Sequence, residues 1–270
     1  MIIRWIRETQ SKLFVFGLIG SVYAFNFFGL WRLPYMEVDF PHPWDVYFYR
    51  SVQTVLSFLV IWLAAPHVFQ RFRFKFRPKT FRIGLVFTIV ASVPNIFYFG
   101  IEYKGFLNLV SGVVFAMAIG IDEEIFDRGF SFGAFERFGI EFALIASSVL
   151  FGLSHFTNYL YGDESLRYNL GHMVDAASFG YLMAAFMLMT GNIWFPIILH
   201  GMIDLPWILL PDSEVTDVIS NGSDWGNVLI YTVSNIIMAR LMLIYMRGDF
   251  KRINWPPSLV RALKFLGLVE

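Results

Sequence analysis

The sequence predicts an all-α membrane protein, a bundle of about eight transmembrane helices around a central polar cavity. The composition and the distribution of apolar residues lead to this fold class. Of the 270 residues, 57% are hydrophobic and only 16% are charged, whereas soluble domains contain about 25% charged residues. Apolar stretches of about 18 or more residues recur along the chain, and a helix of that length can cross a bilayer.

Eight stretches of about 20 residues are long and apolar enough to be transmembrane helices. The predicted spans are 13–31, 46–69, 83–101, 106–125, 141–160, 172–190, 192–210 and 228–246. The first is too long and too bulky for a cleaved secretory signal, so we expect it to be a retained helix. No internal repeat or low-complexity tract divides the chain. We therefore expect a single membrane domain over residues 1–270.

The charges between the spans predict the orientation of the chain. Residues 70–82 contain six basic residues and no acid, and basic residues also predominate before the first span and after the last. The loop 211–227 instead contains four acids and no base. Because basic loops stay in the cytoplasm, eight spans place both termini there. We expect an integral membrane protein of the bacterial inner membrane.

The composition also limits the chemistry and the partners. The chain has no cysteine, and its formal net charge is zero. Without cysteine, a thiol nucleophile, a thiolate metal site and a disulfide are excluded. Without a net positive charge, electrostatics give no reason to expect a nucleic-acid partner. The partner that the sequence itself predicts is the lipid bilayer.

An acidic cluster stands at the end of the fourth span. Residues 122–128 read Asp-Glu-Glu-Ile-Phe-Asp-Arg, five charges in seven positions. Charges are costly in lipid and persist where they face the protein interior, pair with partners or have a function. Glu124 and Arg128 are four residues apart, so we expect them to pair on one helix face. Glu123 projects about 100° away from Glu124 and is predicted to face a cavity.

Simple counting brings an imidazole opposite this cluster. If the fourth helix continues to about residue 138 and reverses at Gly139, the two helices form an antiparallel hairpin. Glu123 then lies about 16 residues before the turn and His155 about 16 residues after it. At 1.5 Å per residue, both lie roughly 24 Å from the turn. A carboxylate and an imidazole are thus predicted at the same depth.

The seventh span adds two further polar residues. His200 and Asp204 are four residues apart and share one helix face, as Phe151 and His155 do in the fifth span. Acids and imidazoles gathered in apolar helices predict a functional polar centre. The candidate site residues are Glu123, Glu124, Arg128, His155, His200 and Asp204.

No cofactor or metal is expected from the sequence, although one metal site stays open. The chain has no His-Glu-x-x-His motif. Glu123, His155 and His200 nevertheless have the ligand types that could hold zinc.

Two serine motifs are set aside. Gly129-x-Ser131-x-Gly133 matches the nucleophile elbow, which requires a strand-turn-helix context that an apolar helical span cannot provide. Ser154 precedes His155, but neighbouring residues on one helix point apart.

Three short motifs follow one another in the predicted spans: Glu123-Glu124-x-x-x-Arg128, Phe151-x-x-x-His155 and His200-x-x-x-Asp204. Their order and positions resemble the motif pattern of the CPBP family of intramembrane proteases. That family includes the type II CAAX prenyl endopeptidases and bacterial Abi-type proteins linked to bacteriocin processing or immunity. The resemblance covers a motif-bearing core of roughly residues 106–210.

The resemblance implies an intramembrane endopeptidase that uses glutamate and forms no covalent intermediate. Glu123, alone or with His155, would be the general base for a water molecule. His200 with Asp204 would stabilise the oxyanion, and Glu124 with Arg128 would hold the other groups in place. The last position of the third motif is Asn or Asp in the family. If Asp204 is ionised it cannot donate, and its role becomes the orientation of His200.

The substrate and two rival functions stay open at this point. For a prenyl protease the substrate is a lipidated C-terminal tripeptide, and for a bacterial member it could be a bacteriocin or leader peptide. The same acids and histidines could relay protons in a proton-coupled transporter, although no inverted repeat is visible. A catalytically silent immunity or scaffold protein would keep the same motifs.

Overall fold

The structure, a computed structural model, describes seven longer segments and four further residues near the C-terminal end. They are residues 12–27, 44–64, 66–73, 78–99, 104–161, 164–209 and 224–247, with 257, 260, 261 and 264. All regular structure in these residues is helical and none of it is β-strand, as predicted.

The described α-helices follow one another with short connections between most of them. They are α1 (Lys12–Phe27), α2 (Trp44–Ala64), α3 (Pro78–Phe99), α4 (Phe106–Glu124), α5 (Phe132–Phe135), α6 (Ile140–Ser154), α7 (Phe156–Tyr161), α8 (Leu166–Thr190), α9 (Trp194–Ile208) and α10 (Trp225–Met246). A π-helix and two 3₁₀ helices accompany them: Ile125–Ser131, Pro66–Phe72 and Glu136–Phe138.

Each of the eight predicted spans overlaps one of these α-helices. Among the described residues, three helical stretches are long and apolar enough to cross a membrane: Ile140–Leu160, Leu166–Thr190 and Trp225–Met246. Shorter apolar helical stretches are Arg50–Leu63 and Trp194–Ile208.

Three predicted boundaries are wrong for local reasons. The second predicted span runs to 69, whereas α2 ends at Ala64 before Pro66, whose ring removes a backbone donor and disfavours a helical residue before it. The third predicted span starts at 83, whereas α3 begins at Pro78, a residue favoured at the first position of a helix. The sixth predicted span starts at 172, whereas α8 begins at Leu166. Ser165 caps this helix by accepting a hydrogen bond from the backbone N–H of Tyr168 at 3.2 Å.

The predicted hairpin is confirmed. Helix continues from α4 through the π-helix, α5 and the second 3₁₀ helix as far as Phe138. The chain then reverses at Gly139, whose φ of 110° is favourable only for glycine. α6 begins at the next residue and packs back against α5 and the π-helix.

Glycines bring α9 into backbone contact with α4. A Cβ added to Gly120 would lie 2.5 Å from the carbonyl oxygen of Ile197, and one added to Gly201 would lie 2.9 Å from that of Ala116. Small residues allow such close helix packing in membrane proteins. The contact sets the C-terminal end of α4 directly beside the middle of α9, where the polar residues lie.

Candidate functional site

The carboxylate of Glu124 is buried between a cation and an imidazole. Its Oε2 lies 3.1 Å from Arg128 Nε, so the pair predicted from the four-residue spacing is confirmed. Its Oε1 lies 2.7 Å from Nδ1 of His200. An ionised carboxylate can only accept, so Nδ1 of His200 carries the proton of this hydrogen bond. Glu124 is 0% exposed, and both of its oxygens are engaged.

Arg128 is held by its surroundings as well as by Glu124. Its guanidinium lies over the ring of Phe151, 4.5 Å from the centroid, and is buried. A Cβ at Gly180 would lie 3.2 Å from Nη2 of Arg128, so this glycine of α8 leaves the cation its space. The cation therefore connects α4, α6 and α8 at one point.

The neighbouring Glu123 has a different environment. Its Oε2 lies 3.7 Å from Nε2 of His200, and its Oε1 accepts a hydrogen bond from Arg50 Nη1 at 3.3 Å. Its side chain is 21% exposed, against 0% for Glu124. Glu123 is thus the accessible member of the acid pair, while Glu124 is closed off.

Arg50 of α2 was not predicted as a site residue. Its Nη1 also donates to Oδ2 of the buried Asp122 at 3.2 Å, and Thr54 donates to Oδ1 of Asp122 at 3.3 Å. Arg50 and Thr54 lie one helical turn apart in an apolar stretch, which was the available signal. The sequence gives no indication of which of the distant acids they contact.

His200 and Asp204 share a face of α9, as predicted. Nε2 of His200 lies 3.5 Å from Oδ2 of Asp204. The ring of Phe179 packs edge-on against the imidazole, with 5.1 Å between the centroids. One nitrogen of His200 therefore faces Glu124, and the other faces the space between Glu123 and Asp204.

His155 lies where α6 gives way to α7. Its Nδ1 is 2.9 Å from the carbonyl oxygen of Phe151, and because a carbonyl only accepts, Nδ1 is the protonated nitrogen. Phe151 stands between the two imidazoles, 4.8 Å from the ring of His155 and 6.1 Å from that of His200. Polar contacts of 2.7–3.7 Å thus join five of the predicted residues, with His200 and Glu124 shared between them. His155 contacts this group through the ring of Phe151.

A second polar cluster, missed by sequence reasoning, supports His155 from the other side. Asn169 donates to the carbonyl oxygen of His155 at 2.8 Å and to Glu164 at 2.7 Å. His172 lies 2.9 Å from Glu164 through Nδ1, and its ring is 4.8 Å from that of His155. Burial opposes ionisation of Glu164, a loop residue, but the hydrogen bond and charge of His172 hold its pKa below the usual value. The sequence signal for this cluster was a run of polar residues at the start of the apolar helix α8.

The π-helix is anchored from α1. Tyr23 donates to Asp127 at 2.5 Å, and its hydroxyl lies 2.9 Å from that of Ser131. Every residue of the π-helix is buried, and π turns occur frequently at functional sites. Ser131 is therefore a buried helical residue, which does not fit the strand-turn-helix context of a nucleophile elbow.

The zinc set left open by the sequence has no geometric support. Among the residues that the structure describes, no three His, Asp or Glu side chains are arranged to hold a metal ion.

Residues 105–206 match the family model described as type II CAAX prenyl endopeptidase Rce1-like. The matched segment starts just before α4 and ends within α9, so it contains all six candidate residues. The match covers 102 of the 270 residues, and this segment is similar to the CAAX protease family. No curated protein and no solved structure matches the chain. The apolar helices, together with this match, support an integral membrane protein.

Proposed function

We propose that this protein belongs to the CAAX protease family and is an intramembrane endopeptidase in which Glu123 activates a water molecule. One observation carries the proposal: of two adjacent acids, Glu124 is closed off by Arg128 and His200, while Glu123 stays accessible 3.7 Å from His200. A general base needs access to water and to the scissile carbonyl. Glu123 meets this requirement and Glu124 does not.

In the proposed reaction Glu123 takes a proton from water while the water oxygen bonds to the carbonyl carbon of the peptide. The carbonyl π electrons move to oxygen and give a tetrahedral oxyanion. The peptide C–N bond then breaks, and the proton held by Glu123 passes to the departing nitrogen. His155, which donates through Nδ1 to its own helix, leaves Nε2 as the nitrogen that can assist this transfer.

His200 is the proposed oxyanion donor. Its Nδ1 is bonded to Glu124, so a second proton on Nε2 would point towards Glu123 and Asp204. One such donor contributes about 2.7–4 kcal/mol to transition-state stabilisation. Asp204 as a carboxylate would accept from His200 and orient it, rather than donate to the oxyanion itself.

The proposed substrate is a protein with a prenylated CAAX-type C-terminus. The family description supports this class, and so does an apolar cavity of about 370 Å³ between α3, α8, α9 and α10. Phe179 lines that cavity and also packs on His200. A lipid chain bound there would hold the attached peptide next to the site. A bacteriocin or leader peptide, by contrast, would be cut without a lipid group.

The proposed topology is that eight α-helices cross the membrane as one domain and that residues 106–210 form its catalytic core. The basic segments before α1, between α2 and α3 and after α10 would then face the cytoplasm, in agreement with the positive-inside rule. In a bacterium this is the inner membrane, and water would reach Glu123 from the cytoplasmic side.

The decisive experiment compares Glu123→Gln with wild type in liposomes, using a farnesylated CAAX peptide, the same peptide without lipid, and a leader peptide. We expect wild type to cut the farnesylated peptide and Glu123→Gln to be at least about 100-fold slower, which is the contribution of a general base. Glu141→Gln is the matched control, because Glu141 is an exposed acid paired with Arg240 and Arg247.

Three results would contradict the proposal in different ways. Full activity of Glu123→Gln would show that Glu123 is not the general base. Activity lost only on adding a chelator would indicate a metalloprotease. Proton-driven uptake without cleavage would indicate the transporter.

A further inference from the structure

A polar cavity lies far from the proposed active site. It has a volume of about 410 Å³ and is formed by the 3₁₀ helix Pro66–Phe72 and the 3₁₀ helix Glu136–Phe138. Its lining residues are His67, Gln70, Arg71, Glu136 and Arg137. Glu136 follows Glu123 by 13 residues along one continuous helix, which separates the cavity from Glu123 by about 20 Å.

The lining of this cavity has an excess of positive charge. Arg71 and Arg137 are cations, and Glu136 is the acid among the five lining residues. Burial opposes ionisation of Glu136, but His67 and Arg71 hold its pKa below the usual value. The formal charge of the lining is therefore +1 with neutral His67, and greater when His67 is protonated.

Glu136 holds Arg71 and His67 in place without satisfying every donor of Arg71. Its two oxygens lie 2.6 Å from Arg71 Nη2 and 3.2 Å from His67 Nε2. The guanidinium of Arg71 also lies over the ring of Phe132, 5.3 Å from the centroid. Its Nη1 is buried and has no hydrogen-bond partner among the described residues. A buried donor without an acceptor is costly, so a missing acceptor is indicated here.

The cavity is next to an element that marks the lipid headgroup level. Trp194 is 36% exposed, and its indole N–H donates to the carbonyl oxygen of Phe72 at 2.9 Å. Tryptophan is enriched at both membrane–water interfaces. Arg71 also begins the run of six basic residues that ends at Arg82. Basic clusters beside transmembrane helices attract anionic lipid headgroups.

We propose that this cavity binds the phosphate of an anionic phospholipid headgroup. Arg71 Nη1 and Arg137 would donate to the phosphate oxygens, Gln70 would donate from its amide, and Glu136 would hold Arg71 and His67 in position. A soluble phosphate ester shares this chemistry, and the position beside Trp194 favours the lipid. The proposal does not depend on the proteolytic function.

The test is a lipid titration of the purified full-length protein in detergent, followed by native mass spectrometry. Phosphatidylglycerol and phosphatidylcholine with the same acyl chains are the two probes, and glycerol phosphate is the soluble competitor. We expect phosphatidylglycerol to bind at least about fivefold more tightly than phosphatidylcholine. We expect Arg71→Gln and Arg137→Gln each to weaken phosphatidylglycerol binding about fivefold, the effect of one basic residue near the surface.

Arg247→Gln is the matched control, because it removes an exposed cation paired with Glu141 outside the cavity. Arg137 is exposed, so Arg137→Gln is informative even if Arg71→Gln fails to fold. Equal binding of the two lipids, or an equal loss in Arg247→Gln and Arg137→Gln, would overturn the proposal. If glycerol phosphate displaces phosphatidylglycerol at an equal concentration, the cavity is a phosphate site for a soluble ester and not for a lipid.

Discussion

At the scale of single residues, the site depends on two adjacent acids with different surroundings. Successive helical residues point about 100° apart, so Glu124 faces Arg128 inside the bundle while Glu123 faces Arg50 and His200. A buried ion pair is fragile in one sense: loss of one partner leaves an uncompensated charge and costs about 3–5 kcal/mol. Loss of activity after mutation of Glu124 or Arg128 would therefore be explained first by a destabilised fold, and only then by a role in the chemical step.

Asn169 is expected to be a positioning residue for His155. Asn169→Ala removes the donor to the backbone carbonyl of His155 and one donor to Glu164. The carbonyl oxygen of His155 still accepts from the backbone N–H of Asn158 at 3.0 Å, whereas Oε2 of Glu164 loses its donor. A hydrogen bond to a charged group contributes about 1.5–3 kcal/mol. If part of this displaces His155, kcat should fall about tenfold while KM changes little, because 1.36 kcal/mol corresponds to tenfold in rate. Steady-state kinetics of the reconstituted enzyme measure both constants.

Asn158→Ala is the control for this prediction. Asn158 also donates to Glu164, at 3.2 Å, but its side chain is not bonded to His155 in the described contacts. We expect its kcat to stay near wild type. Equal losses in the two variants would show that the cluster acts on general stability alone.

At the scale of elements, the sequence predicted the helices well and the contacts between them poorly. Length and apolarity predicted stretches that each overlap an α-helix, and Gly139 predicted the reversal, because both signals are local. The π-helix Ile125–Ser131 was not predicted, since it adds one residue per turn without a change in composition. Pro66 shows that a single local residue can still overrule apolarity at a helix end.

The contacts of the candidate site could be predicted from the sequence where both residues lie on one helix, because their spacing decides whether they meet. The Glu124–Arg128 and His200–Asp204 contacts follow from four-residue spacing. The Arg50–Glu123 contact joins residues 73 positions apart, and its formation depends on the packing of α2 against α4. No local pattern contains that information, so tertiary packing had to supply it.

The close approach of α4 and α9 gives a prediction for Gly120. In Gly120→Ala the new Cβ would lie 2.5 Å from the carbonyl oxygen of Ile197, so the two helices must separate. Overpacking of this kind costs about 1–3 kcal/mol, and it would lengthen the His200–Glu124 contact. We expect a lower thermal midpoint and loss of most activity, measured by tryptophan fluorescence and peptide cleavage.

Gly20 offers the matched substitution in α1. A Cβ added there meets no atom of the described residues within 4 Å, and alanine is favoured over glycine in a helix by up to about 1 kcal/mol. Gly20→Ala should therefore leave the midpoint unchanged or raise it. A Gly120→Ala variant as stable and active as Gly20→Ala would show that close α4–α9 packing is not needed.

At the scale of the whole molecule, polar contacts occur at three levels along the α4–α6 hairpin. Glu136 and Glu141 bind basic residues beside the Gly139 turn. The acids around Glu123 form the middle level, and the cluster around Glu164 lies beyond His155. Apolar side chains that cover the hairpin between these levels cannot fix the depth at which one helix meets the next. Polar pairs at three separate heights can do so, since a shift along the axis would break them together.

The two outer levels should make the folded state sensitive to acid. Burial opposes ionisation of Glu136 and of Glu164, but their basic and amide partners hold both pKa values below the usual value. A carboxyl whose pKa is lower in the folded than in the unfolded state stabilises the fold above its unfolded pKa of about 4.3 and loses this contribution as the pH falls through its folded pKa. The thermal midpoint in detergent should therefore be steady from pH 7 to about pH 5 and fall below about pH 4. Glu136→Gln and Glu164→Gln should each lower the thermal midpoint at pH 7 and reduce its fall below about pH 4. The control is Leu229→Ala, at an exposed apolar position on α10, which should leave the shape of the pH curve unchanged. If both Gln variants keep the wild-type pH profile, the loss of stability in acid arises from groups other than these two.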